Sequence, residues 1–339
     1  MHKHRSIPDA DLFTTFDIRT DLAVEETERH RHTGRQTLSG VSVHETFECD
    51  GQVHVTQVSV ENEDGAHALG KAQGHYITLD VASMKQNDGG SHRDISCVLA
   101  SHLKDLIAPH ANSHQPIHVL AVGLGNASVT PDDLGPQVLS HLLITRHLKT
   151  GQFQHPAFSV DSASVCGIVP GVMAQTGMET AEIVKAITNQ IHPDLILVID
   201  ALAARSVTRL GTTIQLTDTG IHPGSGVGNH RHGLTKDSLN VPVIAIGVPT
   251  VVGAAAIVTD TLDTLMDVLC RETNTTHLAK VLHGMDPDEK YTLVHQLLTP
   301  RFGPMFVTPK DIDETIQRVS FIISEGINMA LFGQVIKDR

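Results

Sequence analysis

Two acids stand just beyond apolar runs of strand type, a placement from which carboxylates can do chemistry. Val119–Gly123 is apolar throughout, and the chain then passes through Gly125 into a polar loop carrying Asp132 and Asp133, directly ahead of a helical pattern. A second apolar run, Leu195–Ile199, ends in Asp200. α/β proteins place their sites outside the carboxyl ends of parallel strands, so both acids fall where a site is expected. Two carboxylates brought together push one pKa up, so that one stays protonated while the other can take a proton from water. Such a pair can hydrolyse an amide without a covalent intermediate. The plain alternative for Asp132 and Asp200 is a helix cap or a loop hydrogen bond, and Asp133, two residues before Gly135, fits it well. Asp200 has less room for that alternative, because an ionised acid on an apolar strand is costly unless partnered.

Composition narrows the classes. The chain has 339 residues, long enough for a large core in one α/β domain or two smaller ones. Lys and Arg number 25 against 38 Asp and Glu, a net charge of −13, which argues against direct nucleic-acid binding. No run of about 18 apolar residues predicts a membrane span, and the first residues, Met1–Asp9, lack the apolar stretch of a signal peptide. A cytoplasmic protein is expected. Cys49, Cys97, Cys166 and Cys270 are widely spaced and predict reduced, buried thiols. The 23 histidines, among them His30, His75, His230 and His232, show no metal-ligand spacing and predict solvated surface groups; no metal or cofactor is expected.

Other motifs are weaker. Gly123–Ser128 begins like a dinucleotide fingerprint but has Ser128 in place of the third glycine. The loop Pro223–Gly228 matches neither a nucleophile elbow nor a Walker sequence; Gly224, Ser225 and Gly226 are candidates to let a substrate chain approach the backbone. Ser225 with His222 or His230, and Cys166 alone, are minor nucleophile candidates.

The elements that must position these residues follow from periodicity. Gln36–Val43 and Gln52–Val60 alternate apolar and polar residues, as half-buried antiparallel strands do. Asn87–His92 reads as a turn and Ile95–Ile107 as a helix. Strands are then expected at His118–Leu124, Leu195–Asp200, Thr213–Thr219 and Val241–Gly247, with helices at Pro136–Leu148, Glu179–Gln190 and from Gly247 to about Cys270. Residues 271–303 are polar and predict a surface excursion. A last helix is expected to start at Thr308–Asp311, with threonine as cap, and to run to about Leu331. Strands alternating with helices predict an α/β fold: a mainly parallel sheet with helices on both faces and a small antiparallel addition at 36–60.

Taken together, Arg19–Glu25, Gly123–Asn126 with Val129–Asp132 and Leu134–Pro136, Pro170–Thr180, Asp200–Arg205, Asp218–Ile221 with Pro223–Asn229, Val241–Val252 and Met305–Lys310 resemble the germination protease family of spore-forming bacteria, in that family's order. The resemblance implies an endopeptidase that degrades small acid-soluble spore proteins during germination, in the cytoplasm of the spore. It implies a fold similar to the hydrogenase-maturation peptidases, a homotetramer, and catalytic aspartates at Asp132 and Asp200. It also implies a self-processing zymogen with a propeptide at 1–21 and a single peptidase domain at 22–339. The family's preference for an acid, then a hydrophobic residue, then alanine is met by Asp21, Leu22 and Ala23, which places the cut between Asp21 and Leu22. Asp133 departs from the pattern, where a small apolar residue is expected, and leaves the choice between the neighbouring acids open. Arg205 is a candidate to recognise the substrate's acidic side chain, through charge-assisted pairing, with a structural ion pair as the alternative. A metal-dependent peptidase using the same acids with a histidine, and a non-catalytic nucleotide-binding module, are the rival readings.

Overall fold

The computed structural model describes residues 20–32, 38–85, 89–111, 116–149, 163–224, 232–271, 285 and 287–333. Two compact units emerge, one of residues 20–253 with 306 onward, the other spanning Ala254–Met305.

The larger unit is built on one sheet of nine strands: β1 (Val41–Glu48), β2 (Val53–Val60), β3 (Gly74–Asp80), β4 (His118–Gly123), β5 (Ser164–Ile168), β6 (Leu195–Ala204), β7 (Thr213–Thr217), β8 (Val243–Gly253) and β9 (Phe306–Val307). Their order is β1-β2-β3-β7-β8-β6-β4-β5, with β9 pairing the far end of β8. Strands β8, β6, β4 and β5 run parallel. Strands β1, β2, β3 and β7 pair antiparallel and join the parallel half through β7 and β8.

The parallel strands read as unbroken apolar runs because both faces are covered. Val119, Ala121, Leu195, Leu197, Ile199, Ile244 and Ile246 face a core shared with the helices Gly89–Ile107, Leu134–His141 and Ile312–Phe332. Leu120, Val122, Ile196, Val198 and Val243 face the other way, toward the helix Thr180–Ile191. At roughly 1.5–3 kcal/mol for each fully buried aliphatic side chain, this two-sided burial is the main force holding the strand ends in place.

The α/β class is therefore as expected, with helices on both faces. The antiparallel part is larger than its signature at 36–60, since it continues the same sheet through Gly74–Asp80, where the signature is short. The first strand begins at Val41, not Gln36, and residues 33–37 lie outside the described residues. The expected turn at Asn87–His92 is helical from Gly89, so that helix starts six residues earlier than Ile95. The single helix expected at Pro136–Leu148 is two, Leu134–His141 and Arg146–Lys149. The final helix starts at Ile312, because the Thr308 hydroxyl donates to the Thr250 carbonyl at 2.9 Å instead of capping.

In the smaller unit the helix Ala254–Arg271 packs on the helix Pro287–Phe302, joined by a 2.6 Å ion pair between Lys290 and Asp263. The polar stretch 271–303 is thus helical from Pro287, and most of its first half lies outside the described residues.

Candidate active site

β4 ends at Gly123, and the Leu124 amide still donates to the Ile199 carbonyl of β6 at 2.8 Å. The chain then turns through Gly125, whose φ of +114° suits glycine alone. The Asn126 amide donates both to the Asp132 carboxylate (Oδ2, 2.8 Å) and to the Asp132 carbonyl (3.1 Å). The loop is therefore closed on itself, with Asp132 at the end of a single turn of 3₁₀ helix, Thr130–Asp132. Gly135, in the first turn of the next helix, lies so close to the strand end that a Cβ there would meet the Leu124 carbonyl at 2.3 Å. Glycines at 123, 125 and 135 let strand, loop and helix start close on one another.

Asp200 follows Ile199 directly, and Ile199 is the residue of β6 that pairs with Gly123. Its own partner on the other side is Gly247 of β8. Asp200 is buried, and its Oδ1 accepts the Ala201 amide at 2.9 Å. One difference from the sequence expectation follows. β6 does not end at Asp200 but continues to Ala204, because β8 continues beside it past a bulge at Leu202 and Ala203. Asp200 thus marks the point where β6 loses β4 as a neighbour. The Thr130–Asp132 turn packs against both β6 and β8. Register and turn together place both acids on the side of the sheet where β4 ends, at the carboxyl end of its parallel pairing with β6.

Asp133 is turned elsewhere. It is buried, its Oδ2 accepts from Gln137 Nε2 at 2.7 Å, and its Oδ1 has no hydrogen-bond partner among the described residues. Arg205 lies just beyond β6, with its amide tied to Glu25 at 2.9 Å. Among the described residues its guanidinium makes no ion pair, unlike that of Arg209, which binds Asp80, Glu28 and Glu25. Gly224 is in a turn with φ +73°, and Ser225 and Gly226 lie outside the described residues. The base of their loop is held by the pairing of Ile221 with Leu234.

The cysteines are not all buried as expected: Cys97 is exposed and Cys49 and Cys166 are half-buried, all three free thiols. Burial pushes the Cys166 thiol up, which keeps it protonated and makes it a poor nucleophile. Among the described residues no three His, Cys, Asp or Glu side chains are grouped to hold a metal. No described helix is long and apolar enough to cross a membrane.

The segment around Asp21 and Leu22 is fully built into the larger unit, and all but one of its partners carried no sequence signal. Asp21 pairs with Ala203 of β6, through its amide to the Ala203 carbonyl (3.2 Å) and its Oδ2 from the Ala203 amide (2.9 Å). The Asp21 carbonyl accepts from Lys71 Nζ and Gln215 Nε2, both at 3.1 Å. Leu22 and Ala23 are completely buried, Leu22 in a cluster with Val24, Leu202 and Ala204. Glu25 accepts the Arg205 and Ser206 amides (2.9 and 3.0 Å) and the Thr20 hydroxyl. Only Gln215, a polar residue on the buried strand Thr213–Thr217, could have been picked out in advance.

The family model for germination protease matches residues 18–283 and 275–339. The germination protease of Clostridium perfringens (strain ATCC 13124) is 44% identical over 318 residues, covering 93% of this chain and 95% of its own. That of Caldanaerobacter subterraneus subsp. tengcongensis is 44% identical, covering 94% and 96%, and that of Bacillus subtilis (strain 168) 37% identical, covering 95% of each. Among solved structures, the [NiFe] hydrogenase maturation protease HycI from Thermococcus kodakarensis KOD1 aligns with 67% of this chain and 98% of its own, at 16% identity and a TM-score of 0.31.

Proposed function

The chain belongs to the germination protease family, and from that premise we propose that it is an endopeptidase of spore germination that uses Asp132 and Asp200 to activate water. Its relatives are named as proteases, so hydrolysis of peptide bonds is the reaction to be accounted for. The observation that supports the assignment is the register: Asp200 follows the partner of Gly123, and the loop leaving Gly123 brings the Thr130–Asp132 turn against β6.

In this reading one carboxylate takes a proton from water while the other donates to the scissile carbonyl. The resulting tetrahedral intermediate collapses as the proton passes to the leaving amine. Asn126 N–H on Asp132 and Ala201 N–H on Asp200 fix both carboxylates before substrate arrives, which lowers the reorganisation the reaction requires. Arg205, whose guanidinium makes no ion pair among the described residues, is the candidate to bind an acidic side chain on the substrate, and Gly224, Ser225 and Gly226 are the candidates to let the substrate chain approach the backbone.

The substrates are small acid-soluble spore proteins, the enzyme acts in the spore interior, and it assembles as a homotetramer. It is made as a zymogen that removes residues 1–21 by cutting between Asp21 and Leu22. Mass spectrometry of the self-processed protein tests the last point: a mature chain starting at Leu22 supports it, and any other start rejects it.

A further inference from the structure

Hydrolysis of a peptide bond makes two charges where there were none. Water oxygen bonds to the carbonyl carbon, the C–N bond breaks, and both water protons end on nitrogen, leaving a carboxylate and an ammonium. In a buried place each of these needs a counter-charge.

The Asp21–Leu22 bond has one on each side. Its carbonyl oxygen accepts from the ammonium of Lys71 and the amide of Gln215, and Lys71 also binds the Thr20 carbonyl at 2.8 Å. Its nitrogen donates to the Thr20 hydroxyl at 3.1 Å, and that hydroxyl donates in turn to the Glu25 carboxylate. A single hydroxyl therefore separates the Leu22 nitrogen from a buried acid. Cutting before Leu22 detaches Thr20 together with Asp21, so the same cut that creates the ammonium removes the group standing in its place.

We propose that Lys71, with Gln215, and Glu25 are the partners prepared for the two ends created by self-processing: Lys71 and Gln215 hold the Asp21 oxygen as it becomes negative, and Glu25 receives the Leu22 ammonium. This rests on the cut lying between Asp21 and Leu22. Both charged groups now bear burial without full compensation. Burial pulls the Lys71 ammonium below the usual lysine range, opposed by the charges of Asp21, Glu26 and Glu25. Burial pushes Glu25 up, opposed by Thr20, by the amides of Arg205 and Ser206, and by Arg209. A new carboxylate beside Lys71 and a new ammonium beside Glu25 relieve both. The Leu22–Glu25 pair also seats the mature N-terminus in the cluster of Leu22, Val24, Leu202 and Ala204, next to the end of β6 and Arg205.

The test follows loss of residues 1–21 by intact-mass spectrometry in the full-length chain and in Lys71→Met, Lys71→Arg, Glu25→Gln and Glu25→Asp, with thermal midpoints measured in parallel. Removing one donor to a developing oxyanion slows reaction about 100-fold, so Lys71→Met is expected to process about that much more slowly, with Lys71→Arg recovering most of the rate. Glu25→Gln is expected to slow accumulation of the chain starting at Leu22, with Glu25→Asp recovering it in part. Wild-type rates in both Lys71→Met and Glu25→Gln overturn the assignment alone, whereas a wild-type product not starting at Leu22 overturns the processing reading and the assignment with it. Should the variants not fold, a crystal structure of the processed wild type decides: the Leu22 amine within about 3 Å of the Glu25 carboxylate supports the pairing, and a Leu22 amine directed elsewhere overturns it.

Discussion

The Asp132 carbonyl occupies the place a side chain on Gly125 would need: a Cβ built there would lie 1.9 Å from that oxygen. The two residues therefore constrain each other, and the position of the Asp132 carboxylate depends on the absence of a side chain seven residues earlier.

Gly125→Ala is accordingly expected to move Asp132. A left-handed non-glycine costs about 1–3 kcal/mol, and displacing a reacting group by an ångström can lower the rate about 100-fold. Thermal unfolding and turnover of a protein substrate, measured together, check this. Full activity in Gly125→Ala would show that the loop can relax without moving the acid.

Asp133→Asn separates the neighbouring acids. Asp133 accepts from Gln137 and directly precedes the helix Leu134–His141, and asparagine retains an oxygen for that bond. Turnover close to wild type is expected, with at most a modest drop in the urea midpoint. Complete inactivation of Asp133→Asn in a folded protein would transfer the chemistry from Asp132 to its neighbour.

Arg205→Glu is expected to change preference more than rate. A hydrogen bond to a charged group contributes about 1.5–3 kcal/mol, so the preference for an acidic over a neutral residue before the cut falls by roughly 10- to 100-fold. Paired peptides differing at that residue measure it. An unchanged ratio would assign Arg205 a structural role.

Arg209 is the structural counterpart. It binds both oxygens of Asp80 at 2.7 and 2.8 Å and Glu28 at 2.6 Å, and lies 3.6 Å from Glu25. Of these partners Glu25 is buried while Asp80 and Glu28 are part-exposed, so losing Arg209 leaves one buried carboxylate without its cation, at a cost of roughly 1–3 kcal/mol. Arg209→Met should lower the urea midpoint correspondingly, and a midpoint within error of wild type would contradict the network's importance.

The parallel half of the fold was legible because its strands are buried on both faces and so are written in unbroken apolar runs, as at Leu195–Ile199. The positions of Asp132 and Asp200, past the ends of such runs, were legible for the same reason. Strand β3 was not, since Gly74 and His75 open it and its apolar residues are few. The continuation of β6 past Asp200 was hidden too, because its length is set by β8 beside it and not by its own residues. The pairing at the Asp21–Leu22 bond was invisible for a related reason: Lys71 and Gln215 are about 50 and 194 residues away along the chain, and only tertiary folding brings them to that carbonyl. Thr308 shows the opposite failure, a residue with good capping chemistry whose hydroxyl found a better acceptor across the sheet.

The most direct test of the catalytic pair is a time course of spore-protein digestion by wild type, Asp132→Asn and Asp200→Asn, all already processed or expressed without residues 1–21, with cut sites read by mass spectrometry. Wild type should cut after acids and before a hydrophobic residue followed by alanine, and each variant should be slower by about 10²–10⁴-fold while remaining folded. Digestion by either variant at the wild-type rate would contradict the account.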